Sequence, residues 1–137
     1  MGQILAIDYG KRKIGLALSD EDKIFAAPLP MMLVKSDDEA VEGIITIMQS
    51  AGFVESILLG LPLGFDFKPT QMSRIVKKFA EKLKKKIDTE IKIAFTNEVL
   101  TSKQAEQGRS KKFKKEKSDS EAARIFLQEY LDHKNLK

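Results

Sequence analysis

The stretch from Ile4 to Asp20 constrains this chain more than any other. Two apolar runs, Ile4 to Ile7 and Ile14 to Leu18, flank a short basic turn containing Gly10, the pattern of a β-hairpin. Asp8 closes the first run. A carboxylate in an otherwise apolar strand is costly to bury unless it is paired or holds a metal, and two readings are open for it. Asp followed two residues later by Gly is ordinary turn chemistry. Alternation gives the other reading: Ile4, Ala6 and Asp8 share one strand face, and the neighbouring strand offers Gly15 and Ala17. Asp8 would then look onto a face cleared of bulk, where a ligand or a nucleic-acid backbone can approach.

Composition limits the chemistry available to such a residue. With 137 residues, 42% of them hydrophobic, the chain is sized for a single domain spanning 1–137. The absence of cysteine excludes disulfides, thiol catalysis and zinc-thiolate sites, and points to the cytoplasm. Met1-Gly2-Gln3 leads straight into the first strand, and no apolar run is long enough to span a bilayer, so neither export nor a membrane is expected. His133 is the sole histidine and sits in a polar tail. Mechanisms centred on a histidine base or ligand therefore lack their central group, which leaves carboxylates and lysines to do any chemistry.

The net charge of +4 is unevenly spread: from Arg109 to Lys117 there are six basic residues against one acidic, more than the surplus of the whole chain. Arg109, Lys111, Lys112, Lys114 and Lys115 suit a polyanion. They equally suit a solvated loop in a lysine-rich protein, since 20 of the 24 basic residues are Lys, a bias that high growth temperature or base composition can produce with no nucleic acid involved. Phe113 either stacks on an exposed base or pins the loop to the body.

Along the chain, Ile24 to Val34 is extended and carries Pro28 and Pro30, which place it at the sheet edge. Ser36 to Ala51 has helical spacing, opened by Ser36 with Glu39 in capping-box register. Val54 to Leu61 is nearly continuously apolar, as in a central parallel strand, and the loop from Pro62 to Pro69 follows it. Thr70 to Ile87 is a second amphipathic helix with a lysine-rich outer face, most simply solvated. Glu90 to Phe95 predicts a fifth strand delivering Glu98 at its carboxyl end, with a short helix from Thr101 to about Gly108. Ser118 with Glu121 opens a last helix whose first residue is Asp119, and Ala122, Ala123, Phe126, Leu127, Tyr130 and Leu131 form its inner face. An acidic residue in a first helical turn is also favoured by the helix dipole alone.

The order β-β-β-α-β-α-β-α-α, with right-handed crossovers, predicts an α/β domain: a mixed five-stranded sheet, an antiparallel meander followed by parallel strands, with helices on both faces. That topology brings the ends of strands one and five and the start of the last helix within reach of one another. Asp8, Glu98 and Asp119 would converge as a hard-oxygen site suited to Mg²⁺ or Mn²⁺. Two ions there would clamp a scissile phosphate for hydrolysis.

Four collinear blocks carry a family resemblance: Asp8-Tyr9-Gly10-Lys11-Arg12-Lys13-Ile14-Gly15-Leu16-Ala17, Gly60-Leu61-Pro62-Leu63, Asn97-Glu98-Val99-Leu100-Thr101-Ser102 and Asp119-Ser120-Glu121-Ala122-Ala123. Together they resemble the signature of the YqgF family across essentially the whole chain. The resemblance implies a ribonuclease H-like fold and a nuclease, either a Holliday junction resolvase or an enzyme maturing the 5′ end of pre-16S ribosomal RNA in ribosome biogenesis. Asp8, Glu98 and Asp119 match the family's catalytic carboxylates. Two departures stand out. Asn97-Glu98-Val99 replaces the usual Asp-Glu-Arg, losing an acid and a guanidinium, and the loop after Leu63 lacks the family's Asp-Gly turn.

The leading expectation is a metal-dependent endonuclease on structured nucleic acid, pre-rRNA or branched DNA, with the ribosome as a further partner and the protein a monomer or weak homodimer. Lys11, Arg12, Lys13 and the Arg109 to Lys117 loop would contact phosphates. A non-catalytic nucleic-acid-binding module of the same fold is the alternative. A sugar-kinase or actin-like ATPase, whose related fold also opens on an Asp-x-Gly hairpin, ranks last because the chain is too short for two such domains.

Overall fold

In the computed structural model the described residues are 2–62, 68–97 and 118–135, with the backbone alone for Asn97, Ser118 and Asp119. The elements run β1 (Gln3–Asp8), β2 (Lys13–Ser19), β3 (Ala26–Leu33), α1 (Asp37–Ser50), β4 (Val54–Leu61), α2 (Gln71–Lys86), β5 (Lys92–Asn97) and α3 (Ser118–Asn135). The five strands form one sheet in the order β3-β2-β1-β4-β5. β1 and β2 pair antiparallel, as do β2 and β3, whereas β4 lies parallel to both β1 and β5. This is the mixed sheet expected of a meander followed by two crossovers. The short helix expected between Thr101 and Gly108 lies outside the described residues.

Alternation along β1 sorts the core into two layers. Leu5, Ile7 and Tyr9 point into a large cluster with Ile14 and Leu16 of β2, Ile57 and Leu59 of β4, and the inner stripes of α1 and α2. Ile4 and Ala6 point the other way, joining Ala17, Leu58 and the α3 residues Ala123, Phe126, Leu127 and Leu131. Phe79 and Leu83 of α2 are fully buried in the first layer. Burying side chains of this kind contributes about 1.5–3 kcal/mol each.

The edge position of β3 follows from its prolines. Its register with β2 shifts between Ile14 and Leu16, so that Ile14 pairs with Met32 but Leu16 with Leu29. Pro30 falls in that irregular stretch, where no ladder donor is required of it. Two local expectations are adjusted. Ser36 caps α1 by accepting from Glu39 N–H, but the Glu39 carboxylate accepts from Lys35 N–H at 2.6 Å rather than from the cap residue itself. β5 begins at Lys92, because Asp88 folds the preceding residues into a turn: its carboxylate accepts from Glu90 N–H and its carbonyl from Ile91 N–H. A side chain that offers local acceptors in this way competes with the strand ladder.

Candidate active site

Asp8 is the last residue of β1 and sits directly across from Gly15 of β2, while Ala6 sits across from Ala17. It is partly buried, and it follows Ile4 and Ala6 on the face covered by α3. On that face Ala6, Gly15 and Ala17 are all buried, so the small residues expected to clear a path for a ligand instead let α3 pack closely on the sheet. The turn beyond Asp8 is tight. A Cβ on Gly10 would meet the Lys13 carbonyl oxygen at 2.5 Å, so only glycine lets the chain double back there. The turn is fixed from the side by Val34 N–H, which donates to the Arg12 carbonyl at 2.9 Å. Lys11, Arg12 and Lys13 all project into solvent from this turn, beside Asp8 in sequence and at the same end of the sheet.

Tyr9 anchors the hairpin to the opposite layer. Its ring lies 4.8 Å from that of Phe79, tilted by 40°, and its hydroxyl donates to Asp37 Oδ1 at 2.6 Å. Burial, then the bond to Asp37 and the charge of that carboxylate, push the phenol well above its ordinary range, because each favours the neutral, proton-donating form. Asp37 begins α1 behind its Ser36 cap. One residue beyond Asp8, the strand end is thus tied to both helices of that face.

The start of α3 is tied to the other side of the hairpin. Leu16 N–H donates to Ser120 Oγ at 3.3 Å, where the β2–β3 register breaks, and Ser120 is buried. This bond joins the first turn of α3 to the residue next to Gly15, the cross-strand neighbour of Asp8. Farther along, Gln128 donates to the Ile24 carbonyl and accepts from Ala26 N–H, and Asn135 donates to the Lys23 carbonyl. The orientation of α3 is therefore fixed at head, middle and tail.

Of the three predicted carboxylates, Asp8 is fully described, Asp119 is described as backbone in the first turn of α3, and Glu98 lies outside the described residues, directly after the end of β5. Among the described residues no three His, Cys, Asp or Glu side chains cluster as a metal site. Arg109, Lys111, Lys112, Lys114 and Lys115 lie outside the described residues. Tyr9 and Ser120 are the positioning residues that sequence reasoning passed over. Tyr9 had a signal, since an aromatic next to Asp8 falls on the buried face by alternation. Ser120, a serine between two acids, had none.

The family model that matches the chain, over residues 2–133, is RuvX, described as Holliday junction resolvase. A protein of Sulfurihydrogenibium sp. named "Putative pre-16S rRNA nuclease" is 38% identical over 135 residues, covering 96% of this chain and 91% of its own. One of the same name from Maridesulfovibrio salexigens is 34% identical, covering 94% and 97%. Among solved structures, T. thermophilus RuvC in complex with a Holliday junction substrate aligns at a TM-score of 0.55 with 14% identity, over 98% of this chain and 96% of that one. The Fowlpox virus resolvase in complex with Holliday junction DNA aligns at 0.54 with 13% identity, over 98% and 99%. At these identities the likeness is one of fold, and it is the ribonuclease H-like fold.

Proposed function

The chain belongs to the RuvX family of Holliday junction resolvases and is an enzyme of the nuclease class; from that premise we propose that it is a divalent-metal-dependent endonuclease that matures the 5′ end of pre-16S rRNA. The observation that carries the reading is the placement of Asp8: at a strand end, opposite a residue with no side chain, with the first turn of α3 tied one residue away. The names borne by the relatives support rRNA as substrate, and the family description keeps branched DNA as the competing one.

Asp8, Glu98 and Asp119 would hold Mg²⁺ or Mn²⁺. The donor set fits, since it consists of hard carboxylate oxygens with no competing imidazole or thiolate. Bound there, two such ions would stabilise the charge that develops on the scissile phosphate. The chain's own contribution is positional and electrostatic. Gly10 and the Tyr9–Asp37 bond hold Asp8 at a fixed angle, and Ser120 holds the helix that bears Asp119. Lys11, Arg12, Lys13 and the basic stretch from Arg109 to Lys117 neutralise flanking phosphates without reading sequence. Asn97 and Val99, where relatives of the resembled family carry an acid and an arginine, favour a second reading, a binding module that cleaves poorly.

Asp8→Asn is the test. Cleavage of a pre-16S 5′ precursor in Mn²⁺ should fall by on the order of 10³-fold, the loss expected when several kcal/mol of transition-state stabilisation disappear. The melting temperature without metal should rise as repulsion among carboxylates is relieved, and the upward shift that Mn²⁺ gives the wild type should vanish. A four-way DNA junction run alongside separates the substrates. A wild type that neither cleaves nor shifts its melting with Mg²⁺ or Mn²⁺ in the presence of nucleic acid would leave the binding module standing.

A further inference from the structure

We propose that the outer face of α2, on the side of the sheet opposite Asp8, is a second phosphate-binding track, which holds the backbone of a duplex. The α2 sequence carries seven basic residues, Arg74, Lys77, Lys78, Lys82, Lys84, Lys85 and Lys86, against Glu81 alone. All are exposed, while Val76, Phe79 and Leu83 face the core. At 100° per residue, Arg74, Lys78 and Lys85 fall within an arc of about 40°, with Lys82 about 40° beyond it, spread over about 17 Å of helix axis. A duplex presents one charge per ~1.7 Å, hence about ten over that length.

Packing does not call for this arrangement, and helix electrostatics oppose it. The run Arg74, Lys78, Lys82, Lys86 places like charges at i,i+4, a destabilising spacing. The dipole welcomes Lys84 to Lys86 in the last turn but not Arg74 in the first, where α2 has no acid. α1, on the same sheet face, obeys the rule with Asp37, Asp38 and Glu39 in its first turn. On α2, Lys82 pairs with Asp38 at 3.6 Å, well exposed on both sides, too loose to neutralise the face. A polyanion is the partner whose charge complements it.

This inference rests on the nucleic-acid reading above, and its test does not use cleavage. Binding of the full chain to a double-stranded RNA hairpin and to a DNA duplex of equal length is measured against KCl concentration. Lys78, Lys82 and Lys85 are changed together to Gln, and a control removes the same charge elsewhere, at the exposed Lys35, Lys92 and Lys134. The α2 variant should flatten the slope of log K against log salt by up to about 2.7, at ~0.9 per lost phosphate contact, with melting unchanged or raised; the control should keep most of the wild-type slope. Equal slopes for both variants, an unchanged slope in the α2 variant, or no wild-type binding would overturn the track. A flattened slope with no cleavage by the wild type would overturn the nuclease reading and leave the track intact. Cleavage with an unchanged slope would do the reverse.

Discussion

On one face of the sheet, α1 and α2 close over Leu5, Ile7, Leu16, Ile57 and Leu59 with Phe79 and Leu83 buried between them. On the other, among the described residues, α3 covers Ile4, Ala6, Ala17 and Leu58. The first face is held by apolar volume. The second has a smaller core and is held by directed bonds from Ser120, Gln128 and Asn135 to the hairpin and the β2–β3 turn. Apolar packing is tolerant of small angular errors, whereas a hydrogen bond fixes a distance and a direction. Asp8 and the start of α3 lie on the face where hydrogen bonds join helix to sheet, and the other face is filled with large side chains.

Breaking the first face should have the largest effect. Phe79→Ala removes a fully buried ring and its contact with Tyr9, and should cost about 3–5 kcal/mol of unfolding free energy, read from urea denaturation. Cleavage per folded molecule should change far less. A loss below ~1 kcal/mol would mean that the α1/α2 layer is not the main source of stability. Breaking the second face should invert the balance. Ser120→Ala leaves the buried Leu16 N–H without its acceptor, a cost of about 1–3 kcal/mol, while freeing the head of α3 from the strand beside Gly15. Cleavage should fall more than stability, and Ser120→Thr, which keeps the hydroxyl, should recover part of it. Equal losses in the two quantities would assign Ser120 a structural role only.

The same contrast explains what the sequence could reveal. The faces themselves were readable, because alternation in Ile4 to Asp8 and helical spacing in α1, α2 and α3 are local patterns that a packed sheet leaves in any chain. Asp8 stood out as the polar exception on an apolar strand. The strand start at Lys92 was misplaced by two residues because the Asp88 turn competes with the ladder through bonds that spacing does not encode. Ser120 and Asp37 were not readable as partners of the hairpin at all. Their bonds join residues 104 and 28 positions apart, and such pairings exist only once the fold has formed.

The smallest effect, and the finest probe of the comparison, lies at Tyr9, a polar tie on the apolar face. Tyr9→Phe keeps the ring against Phe79 and removes only the donor to Asp37. Since Asp37 is partly exposed and water can replace the hydroxyl, the cost at neutral pH should be about 1 kcal/mol. The pH dependence reports on the buried hydroxyl. An unfolded tyrosine titrates near 10, and the folded phenol holds its proton to higher pH, through burial first and the Asp37 bond second. Its contribution is therefore fully present below about pH 10 and is lost as pH rises toward the folded value, because the unfolded chain then binds fewer protons than the native one. Stability from urea denaturation between pH 8 and 11 should fall more steeply in the wild type than in Tyr9→Phe, and the two curves should converge at the alkaline end; lysine titration is common to both and cancels in the difference. Parallel curves would show that the Tyr9 hydroxyl adds nothing to the anchoring of the hairpin.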